Sequence, residues 1–310
     1  MADRVSELFT QNISEKNVSS AYAALKTLAQ IIETSSQTTA RGLFDELNEA
    51  RSQILRKAFQ ISKISSRRLL SVRAGTDMFL YHINKVLSKA DNFETCRGEV
   101  QLRAFDLAEG QQRSVDRIAN EAKQLFKHGM TVLVHGYSRT VTSALELAAK
   151  SYHIKVIATE CRPFCEGYET CKRLQKMRVP SEAILDGAVA SYMGQVDAVV
   201  LGAEAIVESG GVINRVGTYT IALIAKQFQK PVYVLAECLK FVRMYPLSLS
   251  DMPDENFANF QALPGGEEFQ NTRMPLCDLT PPDLITLLFT DLGILTPSAI
   301  SDHLIQLYNG

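Results

Sequence analysis

A chain of 310 residues with 46% hydrophobic content can fill one large core or two ordinary ones. Its formal charge of −1 and pI near 6.5 give no field that would gather nucleic acid or an anionic membrane surface, and no apolar run reaches the roughly 18 residues of a spanning helix. The opening residues MADRVSELFT carry charges and no apolar stretch of signal-peptide length, so a cytoplasmic protein without direct nucleic-acid or membrane partners is expected.

Apolar residues recur at helical spacing from 6 to 32 (Leu8, Phe9, Ile13, Val18, Tyr22, Leu25, Leu28, Ile31), until the run 34–39, TSSQTT, breaks the pattern. The same period returns at Leu43, Leu47, Ile54, Leu55 and Phe59, then at Phe79, Leu80, Ile83, Val86 and Leu87. With no strand pattern before residue 130, residues 1–110 are expected to form an all-helical domain, with Gly75 and Gly98 as punctuation. Inside it, Arg51, Arg56, Lys57, Lys63, Arg67, Arg68 and Arg73 follow one another without an acid between. Such a bias reads either as a solvated helix face or as a surface for an acidic or phosphorylated partner.

After Gln111 the grammar changes. Short apolar runs at 131–135, 154–159, 183–186, 197–202 and 232–236 alternate with helical patterns near 111–128, 140–151, 165–177, 188–195 and 217–229. Repeated βα units with right-handed crossovers put helices on both faces of a mostly parallel, doubly wound, Rossmann-like sheet, expected over 111–310. Neither G-x-G-x-x-G nor G-x-x-x-x-G-K-[ST] is present, so dinucleotide and P-loop chemistry have no support. Residues 246–282 read as a loop rich in proline and glycine. Residues 283–290 and 297–308 read as helix, with Thr296 as N-cap and Pro297 at the first helical position.

Cysteines 96, 161, 165, 171, 238 and 277 make no disulfide framework in a chain of this length, and the x3 and x5 spacings of Cys161, Cys165 and Cys171, with no histidine among them, fit no zinc pattern. Reduced thiols and no metal are expected, with Cys238 in the core.

In a parallel sheet the residues after each strand share one edge, where ligands bind. Here that edge collects His135, Tyr137, Ser138, Arg139, Glu160, Arg162, Asp186, Glu204 and Lys240. After Glu204, the turn Ser209-Gly210-Gly211 leads to Asn214, Arg215, Gly217 and Thr218 at the head of a helix. Carboxylates, an amide and several cations suit a phosphorylated polyol better than an apolar ligand. Some of these residues also have plain structural readings: His135 as a hydrogen-bonded core histidine, Glu160 and Arg162 as an ion pair.

Gly-Ala-Glu204 with Asn214-Arg215-x-Gly-Thr218, the segment HGYSR at 135–139, KFVRMYPLSLSDMPD at 240–254 and the tail TPPDLITLLFTDLGILTPSAISDHLIQLY carry a resemblance. From about residue 20 to the end, the chain is similar to the alpha-subunit branch of the eukaryotic translation initiation factor 2B family, which also contains methylthioribose-1-phosphate isomerase-like proteins. The isomerases carry cysteine where Gly136 stands and aspartate where Glu204 stands, as an acid-base pair. Glycine has no group to transfer a proton, and the longer Glu204 moves its carboxylate by roughly 1.5 Å. The resemblance therefore implies a non-catalytic regulatory subunit of a guanine-nucleotide exchange factor, without catalytic residues or an obligate cofactor. It implies a retained pocket for a phosphosugar or nucleoside monophosphate, lined by His135, Tyr137, Ser138, Arg139, Glu160, Arg162, Glu204, Asn214, Arg215 and Lys240. The implied partners are a second copy of the chain, the other subunits of the exchange factor and the phosphorylated alpha subunit of translation initiation factor two. An aldose-ketose isomerase and a metabolite sensor outside translation are the alternatives. The apolar segments 284–288 and 300–307 are expected to pack across the two-fold axis of a homodimer.

Overall fold

The computed structural model describes residues 2–15, 18–62, 69–89, 93–246, 251, 257–259 and 273–309. Its internal contacts divide the chain into two units, Met1–Arg113 with Gln306–Gly310, and Ser114–Ile305.

The first unit is helical, built from α1 (Ala2–Ser14), α2 (Ser20–Thr34), α3 (Ala40–Ser62), α4 (Leu69–Lys89) and the first part of α5 (Phe93–Ala122). Phe9, Leu25, Leu28, Ile32, Leu43, Leu47, Ile54, Met78 and Phe79 are buried in it, which is the apolar stripe of each helix turned inward. Ser19 caps α2 by accepting from the Tyr22 N–H. Neither Gly75 nor Gly98 ends a helix, contrary to expectation: they lie inside α4 and α5. Gly75 has a packing reason, since a Cβ there would come within 3.1 Å of Leu25 on α2. In the basic stretch Arg51 pairs with Asp77, Arg56 is exposed, and Lys63, Arg67 and Arg68 lie outside the described residues.

The second unit holds a seven-stranded sheet of β1 (Thr131–His135), β2 (Lys155–Thr159), β3 (Ser181–Ile184), β4 (Ala198–Leu201), β7 (Val232–Leu235), β12 (Leu287–Thr290) and β13 (Gly293–Leu295). Its order is β13-β12-β7-β4-β1-β2-β3, parallel throughout except for the antiparallel edge strand β13. From β1 the chain runs outward through β2 and β3, then returns to β4 on the other side and proceeds to β7 and β12. The strand order therefore reverses between β1 and β4, and a doubly wound sheet opens its ligand crevice at such a reversal. Helices α6 (Arg139–Ala149), α7 (Glu166–Lys176), α8 (Val189–Tyr192) and α9 (Thr218–Gln227) follow their strands, and α10 (Ile300–Asn309) closes the chain.

A second, four-stranded sheet, β11-β6-β5-β8, is the main departure from the sequence reading. The Gly-Gly turn does not join a strand to a helix. It closes a hairpin of β5 (Ala205–Val207) and β6 (Val212–Arg215), with Gly210 at φ +83°. β8 (Phe241–Val242) joins one side, and β11 (Cys277–Thr280), inside the stretch read as loop, joins the other. β9 (Phe257–Asn259) and β10 (Arg273–Pro275) pair within that stretch too, while Pro253, Pro264, Gly265 and Gly266 fall outside the described residues. Residues 287–290 are likewise strand β12 instead of helix: a run of three apolar residues between Thr286 and Thr290 fits either element, and pairing with β7 and β13 decides it. Thr296 precedes a 3-10 turn beginning at Pro297, but its hydroxyl meets Ser298 at 3.0 Å instead of capping backbone.

Candidate functional site

β1 delivers His135 to the sheet edge, and the hydrogen bonds there define its protonation. Nε2 lies 3.0 Å from the carbonyl of Val216, which can only accept, so this nitrogen carries the proton and Nδ1 accepts from the Thr159 hydroxyl at 2.6 Å. Burial lowers its pKa and keeps the ring neutral. The histidine thus has the satisfied core environment that was one of its two readings, and it still borders the site.

Gly136 follows at φ +61°. A Cβ on it would stand 2.9 Å from Cys161 Sγ and 3.0 Å from Cys161 Cβ, so the thiol after β2 fills the volume that a side chain at 136 would need. That thiol is buried and lies 3.6 Å from His135 Nε2. Its backbone is held by Asp186, which accepts from the N–H groups of Cys161 (2.8 Å) and Arg162 (2.7 Å).

The cations expected to converge on a phosphate each face a carboxylate. Arg215, the last residue of β6, makes a two-pronged pair with Glu166 (Nε to Oε2 3.0 Å, Nη2 to Oε1 3.3 Å) and carries the Phe164 ring 5.2 Å from its guanidinium. Burial works against its charge, but Glu166 and Glu204 outweigh burial and hold it above the ordinary arginine value. Lys240 (2.8 Å) and Arg139 (3.5 Å) share the buried carboxylate of Glu237. Burial pushes that carboxyl up, yet the two cations bring it down to about 2. Arg162, mostly exposed, lies 3.3 Å from Glu160, to which Tyr168 also donates at 3.3 Å, so the ion-pair reading of these two is realised in the geometry.

Ser138 caps α6 through the Val141 N–H and packs so closely on the end of β4 that a Cβ at Gly202 would sit 2.5 Å from its hydroxyl. Beyond β4 comes Glu204, almost fully buried, with its N–H donated to Ile213 of the hairpin. Asn214 donates to Thr218 Oγ1 at 3.1 Å. Tyr137 turns away, its hydroxyl accepting from Arg173, which also clasps Glu146. Cys238 is not plain core either: its N–H and thiol both donate to Asp291, to which Ser114 donates as well.

Around the switch point the structure therefore gathers His135, Glu204, Asn214 and Arg215 with Cys161 and Glu166, while Arg139 with Lys240, and Glu160 with Arg162, form separate ion clusters. Sequence reasoning missed Glu166 and Asp278 as members. Glu166 looked like an ordinary acid in the first turn of a helix, and Asp278 lay in a stretch read as loop. Asp278 Oδ2 accepts from the N–H groups of Gly217 (2.7 Å) and Tyr219 (3.1 Å), so the amino end of α9, expected to attract an external anion, already holds an internal one. Burial raises that carboxyl to about 7 in spite of those two bonds. A groove of about 410 Å³ lined by Lys226, Pro231, Asp283 and Thr286 lies at the amino ends of β7 and β12, and no candidate residue borders it. Among the described residues, no three His, Cys, Asp or Glu side chains are placed to hold a metal ion.

Comparison with known proteins adds descent to this geometry. The model of the initiation factor 2 subunit family matches residues 15–297. The chain is 40% identical over 308 residues to "Translation initiation factor eIF2B subunit alpha" of Dictyostelium discoideum, covering 95% of this chain and 93% of that one. It is 32% identical over 301 residues to the protein of the same name in Caenorhabditis elegans, covering 95% of each. A chain in the crystal structure of the tetrameric eIF2B-beta2-delta2 complex from C. thermophilum matches with TM-score 0.76 over 99% of this chain and 94% of that one, at 22% identity, which speaks for the fold alone. With a family match across most of its length and relatives at such identity nearly end to end, the chain belongs to the initiation factor 2 subunit family.

Proposed function

We propose that the chain is a non-catalytic regulatory subunit of the guanine-nucleotide exchange factor for translation initiation factor two, working in the cytoplasm. The observation that carries this reading is its 40% identity with an eIF2B alpha subunit along nearly the whole of both chains. In this reading the chain pairs with a second copy, joins the other exchange-factor subunits and helps recognise the phosphorylated alpha subunit of initiation factor two. The strand-end site, with His135, Ser138, Arg139, Glu160, Arg162, Glu204, Asn214, Arg215 and Lys240, takes a phosphosugar or nucleoside monophosphate as a regulatory ligand. Tyr137, held by Arg173, is left out of this set. The isomerase alternative loses support at Gly136, where no side chain can move a proton and Cys161 occupies the space.

Reconstitution tests the proposal. The purified chain is added to the remaining subunits, and nucleotide release from unphosphorylated and phosphorylated initiation factor two is followed. The expected result is no exchange by the chain alone, stable co-migration with the other subunits, and stronger inhibition by phosphorylated factor when the chain is present. Failure to co-migrate, or inhibition that is indifferent to the chain, would overturn it.

A further inference from the structure

Arg215 is the residue that a phosphorylated ligand at the strand-end site would most need, and its Nε and Nη2 donors are already committed to Glu166. Its side chain and that of Glu166 are only 7% and 11% exposed and meet fork to fork. Arginine uses this same donor arrangement to take a phosphate. An anion that takes this two-pronged contact therefore has to exchange with the carboxylate already there. Glu204, whose charge also acts on the guanidinium, makes the exchange obligatory, because without it an incoming anion would meet two carboxylates against one cation. The location of Glu166 permits the exchange. It is the first residue of α7 and follows Cys165 in left-handed backbone, so its side chain can turn outward without breaking any hydrogen bond within the helix. Its Cβ stands 3.7 Å from where a side chain at Gly136 would begin, which puts it in the wall of the site.

We infer that Glu166 is a built-in competitor for the strand-end site, an internal anion that holds Arg215 and must give it up to an anionic ligand. The inference rests on the proposed reading that this site takes a phosphorylated compound. It adds that the chain's affinity for such a ligand is held down by one residue, so that only ligands with enough further contacts displace it.

Melting-temperature titrations with inorganic phosphate, against chloride at equal ionic strength, test this on the wild type, Glu166→Gln and the double variant Glu166→Gln/Arg215→Gln. A glutamine still accepts from Arg215 but brings no charge. Glu166→Gln is therefore expected to bind phosphate about tenfold more tightly than the wild type, the worth of one charge-assisted contact no longer contested. The double variant should lose that gain. Should Glu166→Gln fail to fold, Glu166→Asp, which loosens the two-pronged contact and keeps the charge, is expected to show a smaller gain in the same direction. Phosphate affinity in Glu166→Gln equal to or below that of a responding wild type would overturn the inference and leave the ligand site standing. No response to phosphate in any variant would instead remove the ligand site itself, and the inference with it.

Discussion

Gly136 and Cys161 act as one position shared between two strands. The backbone at 136 is in the left-handed region, and the thiol after β2 stands 2.9 Å from any Cβ placed there. Gly136→Cys is therefore expected to cost about 1–3 kcal/mol in chemical denaturation, from backbone conformation and overpacking together. Adding Cys161→Ala should recover the overpacking part only. If Gly136→Cys alone is neutral, the two positions do not share this volume. Glu237 gives a second residue-scale expectation. Its carboxyl, held near 2 against an ordinary 4.5, corresponds to about 3 kcal/mol of stability. Because the folded-state value is the depressed one, that contribution is complete above pH 4.5 and disappears as the pH falls towards 2. Acid unfolding of Glu237→Gln should accordingly lack part of the steep loss that the wild type shows in this window.

At the scale of elements, α9 is the informative case. Its first N–H groups are satisfied by Asp278 from β11, a strand that lies 59 residues from Tyr219 in sequence. Two hydrogen bonds and the helix dipole favour the carboxylate, but burial outweighs them and raises the group to about 7 from 3.8. A raised acid stabilises the fold at low pH and ceases to as the pH climbs through 7. Asp278→Asn, which can still accept from both N–H groups, should thus be more stable than the wild type at pH 8 by on the order of 1–2 kcal/mol, the advantage shrinking towards pH 4. A variant less stable at every pH would mean that the charge of the cap matters more than its desolvation. The segments at 205–215 and 287–290 show why element type was misread: Ala-Ile-Val and Leu-Leu-Phe-Thr are too short for periodicity to speak, and only their neighbours in the sheets decide them. The ESGG between the two arms of the hairpin was a legible signal, read as a strand-to-helix turn.

For the whole molecule, the expected driving force for pairing has moved. Leu284, Ile285, Leu288, Phe289, Ile300 and Leu304 are buried within the chain itself, so of the segments 284–288 and 300–307 Ile305, 52% exposed, is the large apolar side chain still open to a second copy. A homodimer would have to draw on further exposed residues as well, among them Tyr219 and Leu223 one turn apart on α9, and Leu292 and Ile294 at the edge strand β13. Sedimentation at micromolar concentration is expected to report a dimer that dissociates on dilution when Leu223 becomes Lys. A monomer in the wild type would remove dimerisation from the proposed function. No turnover of methylthioribose 1-phosphate is expected from either form, and a rate above the uncatalysed one would show that another group replaces the one missing at 136.

From the sequence alone came the alternation of short apolar runs with helical periods, and with it the parallel sheet, the edge that collects the polar residues, and the family likeness carried by the residues after Gly202 and by the tail. These are local or periodic features, written within a few residues of each other. The three-dimensional structure decided what each charge does. Arg215 meets Glu166 across 49 positions, Arg139 meets Glu237 across 98, and His135 meets Val216 across 81. Electrostatic partners in a buried site are chosen by distance in space, where burial makes pairing obligatory, and spacing along the chain carries no record of that choice.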